Sequence, residues 1–284
     1  MAYWRDSKIK DVIQKILIYI FFFTGIPYFR FLSLRKKGPV VRTLVMHDVT
    51  NKDKFVSFFD FLQCYFNVLS VGDFEHKRFD DKKINILLSF DDGFESWETV
   101  VVPELERRKI SAYFFVSSGF LDMCGDKEKE TQFCRKNLLI SHRKPLSWEG
   151  LKRLSANNAF VVGGHTVTHP NLLKISMEQQ QTEIVENKKR LEEFLGTEVE
   201  VFAYPFGMPG MHADKRLCEV VQKAGFKKAF TTEINFTNMA KDQFSLARVC
   251  TEYKESPFFL YVWIMGGYDN IKKLMLGFRI SGVL

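Results

Sequence analysis

Seven short apolar runs rich in Val, Ile and Phe recur between residues 40 and 249, and stretches with helical periodicity separate most of them. The runs are 40–46 (VVRTLVM), 84–90 (INILLSF), 112–116 (AYFFV), 160–164 (FVVGG), 199–204 (VEVFAY), 228–232 (KAFTT) and 245–249 (SLARV). Continuous apolar runs of this length suit strands buried on both faces. Strand alternating with helix implies a mainly parallel sheet, open or barrelled, with helices outside it. Helices are expected at 98–109, 148–155, 176–196 and 213–224. The third is the clearest. Ser176 and Gln179 form a capping box, Ile184, Lys188, Leu191 and Leu195 share a face, and Gly196 ends it. The polar stretch 122–144 is expected to loop over one end. At 284 residues and 46% hydrophobic, the chain can bury one large α/β domain. That domain is placed at 39–284, behind a hydrophobic, basic segment at 1–38.

The residues that end these runs are more specific than the runs themselves. His47-Asp48 comes after the first, Asp91-Asp92-Gly93 after the second, His165 after the fourth and Pro205-Phe206-Gly207 after the fifth, while Arg248 sits near the end of the last. In a parallel α/β sheet the carboxyl ends of the strands form one rim, and binding sites are built there. The sequence therefore gathers its polar residues at a single end of the fold.

GGHTVTH places His165 and His169 four residues apart. Alone, such a pair carries little information, and Asp-Asp-Gly alone is accounted for by turn chemistry. On one rim they amount to more. Two imidazoles and a carboxylate suffice for a catalytic metal site with open positions. The general base of an HExxH site is absent, because position 166 is Thr. Adjacent aspartates can divide the labour, one on the metal and one accepting a proton.

SFDDGF, HTVTH and AYPFG, in that order, resemble the leading motifs of the polysaccharide deacetylase (NodB-homology) family, carbohydrate esterase family four. The resemblance spans roughly residues 40–250. It implies a distorted (β/α) barrel of about seven strands, to which this chain adds hydrophobic helical segments at both ends. It also implies metal-dependent hydrolysis of an N-acyl, most often N-acetyl, group on a sugar. Carried over, Asp92, His165 and His169 hold one divalent ion, expected to be Zn2+, with Co2+, Ni2+ or Fe2+ as alternatives. Asp91 is the general base. The backbone at Phe206, with Tyr204 beside it, serves the oxyanion and the substrate, and Thr166 is a supporting hydrogen bonder.

Two departures matter. Ala203 stands where many members carry an arginine that pairs with the base, and SLARVC lacks the late histidine that many use as the acid. One branch with an early Met-His element and a late Leu-Pro-Arg-like element resembles LVMHDV and LARV more closely. On that reading His47 protonates the leaving amine and Arg248 pairs with Asp91. His212, His76 and His142 are weaker rivals for the acid, and Asp48 is equally well explained as a turn residue.

The ends of the chain bear on partners. Residues 16–29 carry no charge and are flanked by Lys15 and Arg30. The run is too short to span a bilayer as a helix, which needs ~20 apolar residues. It either lies in the interface of an anionic leaflet, with Arg35, Lys36 and Lys37 on head groups, or packs on the protein's own core. An uncleaved signal anchor facing outward is a third placement. The C-terminal stretch from Ser256 is again apolar, then basic at Lys272, Lys273 and Arg279. Five cysteines without CxxC spacing read as free thiols and fit the cytoplasmic face of a membrane. Net charge is +7, yet no nucleic-acid-binding motif is present, so nucleic acid is not an expected partner. The expected partners are an N-acylated sugar on a polysaccharide or lipid-linked saccharide, and an anionic membrane surface. A catalytically silent glycan-binding protein on the same fold is the alternative.

Overall fold

The computed structural model describes residues 23–237, 242–267 and the single positions 16, 20 and 269. Most of the apolar front segment, and the basic tail with Lys272, Lys273 and Arg279, lie outside the described residues. Among those described, no helix is long and apolar enough to cross a membrane.

Among the described residues, eight strands form one parallel sheet: β1 (Val41–Met46), β2 (Asn67–Val68), β3 (Asn85–Asp92), β4 (Ala112–Val116), β5 (Phe160–Gly164), β6 (Val201–Ala203), β7 (Lys228–Phe230) and β8 (Val249–Cys250). Seven of them run in the order β7-β6-β5-β4-β3-β1-β8, and the two-residue β2 pairs with the start of β3. The sheet curls into a distorted barrel. Leu246 bridges to Phe230 of β7, and three residues later Val249 pairs with Leu44 of β1, so residues 246–250 join the two edges.

Side-chain alternation along the strands divides the apolar residues into two layers. Val41, Leu87, Tyr113, Phe115, Val201, Ala203 and Phe230 point inward and fill the barrel. Leu44, Ile86, Leu88, Phe90, Phe114, Val162 and Phe202 point outward, where the helices cover them. The many phenylalanines are thus used on both faces of one sheet.

The helix Met177–Leu195 carries the expected capping box at Ser176 and Gln179, and it ends with Gly196 at φ 70. The helix Trp148–Ser155 is as expected. Other expectations are corrected. The helix at 98–109 is a π-helical turn, Trp97–Val101, leading directly into Val102–Arg108, with Pro103 just past the junction, where the wider turn before it accommodates a residue without an N–H. The stretch 122–144 is not a plain loop. It holds the helix Lys127–Phe133 and a π-helical turn, Cys134–Leu138, anchored by buried Phe133, Cys134 and Leu138. The last strand is shorter than expected, so Arg248 precedes β8 instead of ending it. The helix Lys52–Tyr65, capped by Asn51, and the strand β2 have no counterpart in the sequence reading.

Candidate active site

The register of the sheet places the expected residues on one rim. Asp92 pairs with Val116, Val116 with Gly164, and Gly164 with Phe202. The residues that end β3, β5 and β6 therefore lie side by side. They border a cleft of about 540 Å³, large enough for a sugar. His47, Asp91, Asp92, His165, His169 and Phe206 line it.

Asp92, His165 and His169 are buried, and each can offer one ligand atom within 4.8 Å of the others. Both histidines are fixed through Nδ1, which donates to the carbonyl of Ala203 (2.7 Å) in His165 and of Asn137 (3.2 Å) in His169. A carbonyl oxygen only accepts, so Nδ1 carries the proton and each Nε2 keeps its lone pair. The Nε2 atoms lie 3.5 and 3.4 Å from Asp92 Oδ1. Burial pushes the His169 imidazole down to about 4 against the pull of Asp92, leaving it neutral at neutral pH. For Asp92, burial favours the neutral acid, and only positive charge beside it, on the surrounding imidazoles or on an ion between them, pulls the carboxyl below its usual range. Oδ1 is buried with no hydrogen-bond partner. A buried anionic oxygen facing two lone pairs is an arrangement that a cation resolves, so the residues fit a divalent metal.

Asp91 points into the barrel, opposite to its neighbour. Arg248 grips it bidentately, Nη1 on Oδ1 at 2.6 Å and Nη2 on Oδ2 at 2.8 Å. The same guanidinium donates to Ser89 Oγ and the Thr231 carbonyl, and it lies over the Phe115 ring at 5.0 Å. Arg248 thus does from residues 246–250 what an arginine at position 203 cannot do here, and Ala203 faces Arg248's side of the sheet as a small core residue.

Backbone strain collects at the site. Among the described residues, Asp92 (φ 85), Thr166 (φ 67), His169 (φ 57) and Phe206 (φ 60) are in left-handed conformations that cost ~1–3 kcal/mol each. Thr166 is β-branched, which makes it the most unusual of the four. Its Oγ1 accepts from the His169 N–H at 3.0 Å, which is the supporting role expected of it. The rest of the clamp was not legible in the sequence. Asn187, fully buried on the helix Met177–Leu195, accepts from the His165 N–H and donates to the carbonyls of Val116 and Thr166 and to Ser118 Oγ. Glu183 accepts from the backbone N–H groups of Val167 and Thr168. Asn187 lies three residues after Ile184 and four before Leu191, on the apolar face, and a polar residue there was the available signal. The two glycines before His165 are required by space. A Cβ on Gly163 would lie 2.5 Å from the Phe115 ring, and one on Gly164 would lie 2.8 Å from Asn187 Oδ1.

The remaining expected residues separate. His47 is exposed at the lip of the cleft, its carbonyl held by the Trp97 indole at 3.2 Å. Phe206 stands with its ring 4.7 Å from that of His169. Tyr204 is corrected. It is the outward neighbour of Ala203, and its hydroxyl donates to the Phe244 carbonyl at 3.0 Å beneath the helix Lys215–Lys223, so its side chain does not reach the cleft. Asp48 pairs with Arg143 at 2.7 Å. His76 bonds the Gly72 carbonyl and His142 pairs with Glu130, both outside the cleft lining. His212 does line the cleft. Its Nδ1 accepts from the Met208 N–H, leaving Nε2 as the protonated nitrogen of the neutral ring.

Known proteins resemble this chain along the same lines. The sequence profile of the family described as polysaccharide deacetylase matches residues 78–229. A curated relative from Bacillus subtilis (strain 168), YxkH, named for a polysaccharide deacetylase, is 23% identical over 164 residues, covering 58% of this chain. The chain spans about half the length of that relative, 50%. Among solved structures, the Streptococcus pyogenes deacetylase PplD in complex with acetate superposes with a TM-score of 0.62 at 19% identity, covering 80% of this chain and 97% of that one. IcaB from Ammonifex degensii superposes with a TM-score of 0.62 at 23% identity, covering 80% of this chain and 98% of that one. At these identities the likeness is one of fold.

Proposed function

The chain belongs to the polysaccharide deacetylase family, and from that premise we propose that it is a metal-dependent hydrolase removing an N-acyl group, foremost N-acetyl, from a sugar. The observation that carries the reading is the buried trio Asp92, His165 and His169, with an unpartnered carboxylate oxygen facing two fixed imidazole lone pairs. A divalent ion held there, Zn2+ by the character of the donors, would polarise the acyl carbonyl and acidify water.

The protein's own groups supply the rest. Asp91 accepts the proton of the attacking water, and Arg248 holds its carboxylate in place by two hydrogen bonds. The backbone N–H at Phe206 donates to the oxygen that gains charge as the carbonyl carbon becomes tetrahedral. His47, at the lip, gives its proton to the departing amine. Thr166, Asn187 and Glu183 keep the histidine loop from relaxing out of its strained conformation. A deformylase would use the same machinery with a smaller acyl pocket. The acceptor sugar belongs to a polysaccharide or a lipid-linked saccharide.

The test is acetate release from an N-acetylglucosamine pentamer, run beside metal content by native mass spectrometry. Wild type is expected to bind one ion per chain and release acetate. Asp91→Asn should keep the ion and lose turnover, and His165→Ala should lose both. A wild-type protein that binds the ion and the oligosaccharide but releases no acetate would instead be the silent glycan-binding protein.

A further inference from the structure

At the end of the barrel away from the cleft, several aromatic rings of the described residues are exposed. Phe23, Tyr28 and Phe29 are exposed, the last two on the helix Ile26–Arg35. Helical periodicity puts Tyr28, Phe29, Ser33 and Lys36 on one side and Arg30, Phe31 and Leu34 on the other. The second side packs, and Leu32, between Tyr28 and Phe29 on the first, is half-buried against the core as well. Phe31 is in the core with Leu34 against it, and Arg30 bonds the Gly266 carbonyl and pairs with buried Asp269. One further ring extends the exposed side. Tyr65 is exposed at the end of the helix Lys52–Tyr65 and meets the half-buried Tyr261 edge-on at 5.6 Å. Arg35, Lys36 and Lys37 come directly after. All three are exposed, and none is paired with a described carboxylate.

The position of this surface is set by chain direction. The helix Lys52–Tyr65 leaves the rim after β1 and returns to the base, where Asn67 of β2 pairs with Asn85, the first residue of β3. Its 14 residues span about 21 Å, which separates the aromatic end from the cleft.

We propose that this aromatic and basic face seats on the head-group layer of an anionic bilayer, with the catalytic rim turned away from the lipid. Rings with polar tips favour the interface, and cations beside them favour anionic head groups. A second copy of the chain is the poorer occupant, because three adjacent cations would face their own kind across a twofold contact. Resting on the function proposed above, this orientation has a consequence for substrate. The sugar that reaches the cleft stands about 20 Å out from the lipid. That suits a saccharide chain projecting into water better than a sugar attached directly to a lipid head.

The experiment is flotation of the full-length protein with phosphatidylcholine vesicles and with phosphatidylcholine–phosphatidylglycerol vesicles, joined to hydrogen exchange on the bound protein. The protein is expected to float with the anionic vesicles only, and less so at high salt. A variant carrying Tyr28→Ser, Phe29→Ser, Lys36→Glu and Lys37→Glu should bind at least about thirtyfold more weakly with an unchanged melting temperature. Residues 23–37 should gain protection on vesicles, while 137–142 and 206–213 should not. Equal flotation of the variant, absence of binding to anionic vesicles, or protection of the rim overturns the proposal. So does a dimer in sedimentation that the variant dissociates. None of these readouts depends on acetate release, so a failure of the deacetylase assay and a failure here are distinguishable.

Discussion

Replacing Arg248 with methionine removes the cation from a pair in which Arg248 is 0% and Asp91 3% exposed. The substitution preserves much of the side chain's bulk but leaves the Asp91 carboxylate charged and buried. Two charge-assisted hydrogen bonds at 2.6 and 2.8 Å disappear, as do contacts with Ser89 Oγ and the Phe115 ring. Breaking a buried pair from one side costs ~3–5 kcal/mol, because the remaining charge loses its partner without regaining water. Urea unfolding at neutral pH should report a loss of that size for Arg248→Met. The control is the double variant Arg248→Met with Asp91→Asn. It leaves no buried charge and should recover about 2 kcal/mol or more of the loss, since an unmade hydrogen bond to a neutral amide costs less than an orphaned carboxylate. Arg248→Lys should fall between, because an ammonium is a point charge without the guanidinium fork. A loss below ~1 kcal/mol in the single variant would mean that the pair behaves as if exposed to solvent. A double variant as unstable as the single one would mean that Arg248 matters through packing. Either result refutes the pairing argument.

His47→Ala should lower kcat by ~10²–10⁴-fold with metal content unchanged, measured by acetate release beside native mass spectrometry. A loss of metal would instead make His47 part of the ion's environment. Asn187→Leu keeps the volume of the side chain but orphans the Thr166 carbonyl and leaves the His165 N–H with the Val116 carbonyl alone, so it should cost ~1–3 kcal/mol in urea unfolding and weaken the metal site. Glu104 is held down to about 2 by hydrogen bonds from Arg107 foremost, against the effect of burial, and then from Arg108. A depressed carboxylate stabilises the fold above its unfolded value near 4.5, and that stability is lost as pH falls toward 2. The melting-temperature gap between wild type and Glu104→Gln should therefore be open at pH 6 and close between about pH 4.5 and 2. A gap independent of pH would rule out the ion pairs as its source.

Much of the architecture was legible because strands buried on both faces leave continuous apolar runs and because helix ends carry their own chemistry, as at Ser176, Gln179 and Gly196. The gathering of His47, Asp91, Asp92, His165 and Phe206 on one rim came from the parallel direction of those strands alone. Tyr204 was misread for want of parity. It neighbours Ala203, which lines the barrel, so it must point outward. The helix Lys52–Tyr65 was missed because its five buried apolar residues come after a run of charged ones, with no glycine or proline to mark its end.

Local sequence thus determined which residues form strands and which polar groups end them, since both depend on near neighbours and on a period of two. Only the tertiary structure decided the pairings that cross the fold. Arg248 reaches Asp91 across 157 positions because residues 246–250 close the barrel. Asn187 meets His165 because an outer helix crosses the end of β5. Arg42, which reads as an ordinary residue of an apolar strand, is buried against Asp269 across 227 positions. Such contacts form between groups distant in sequence and depend on how a curled sheet closes, and no local pattern encodes that closure.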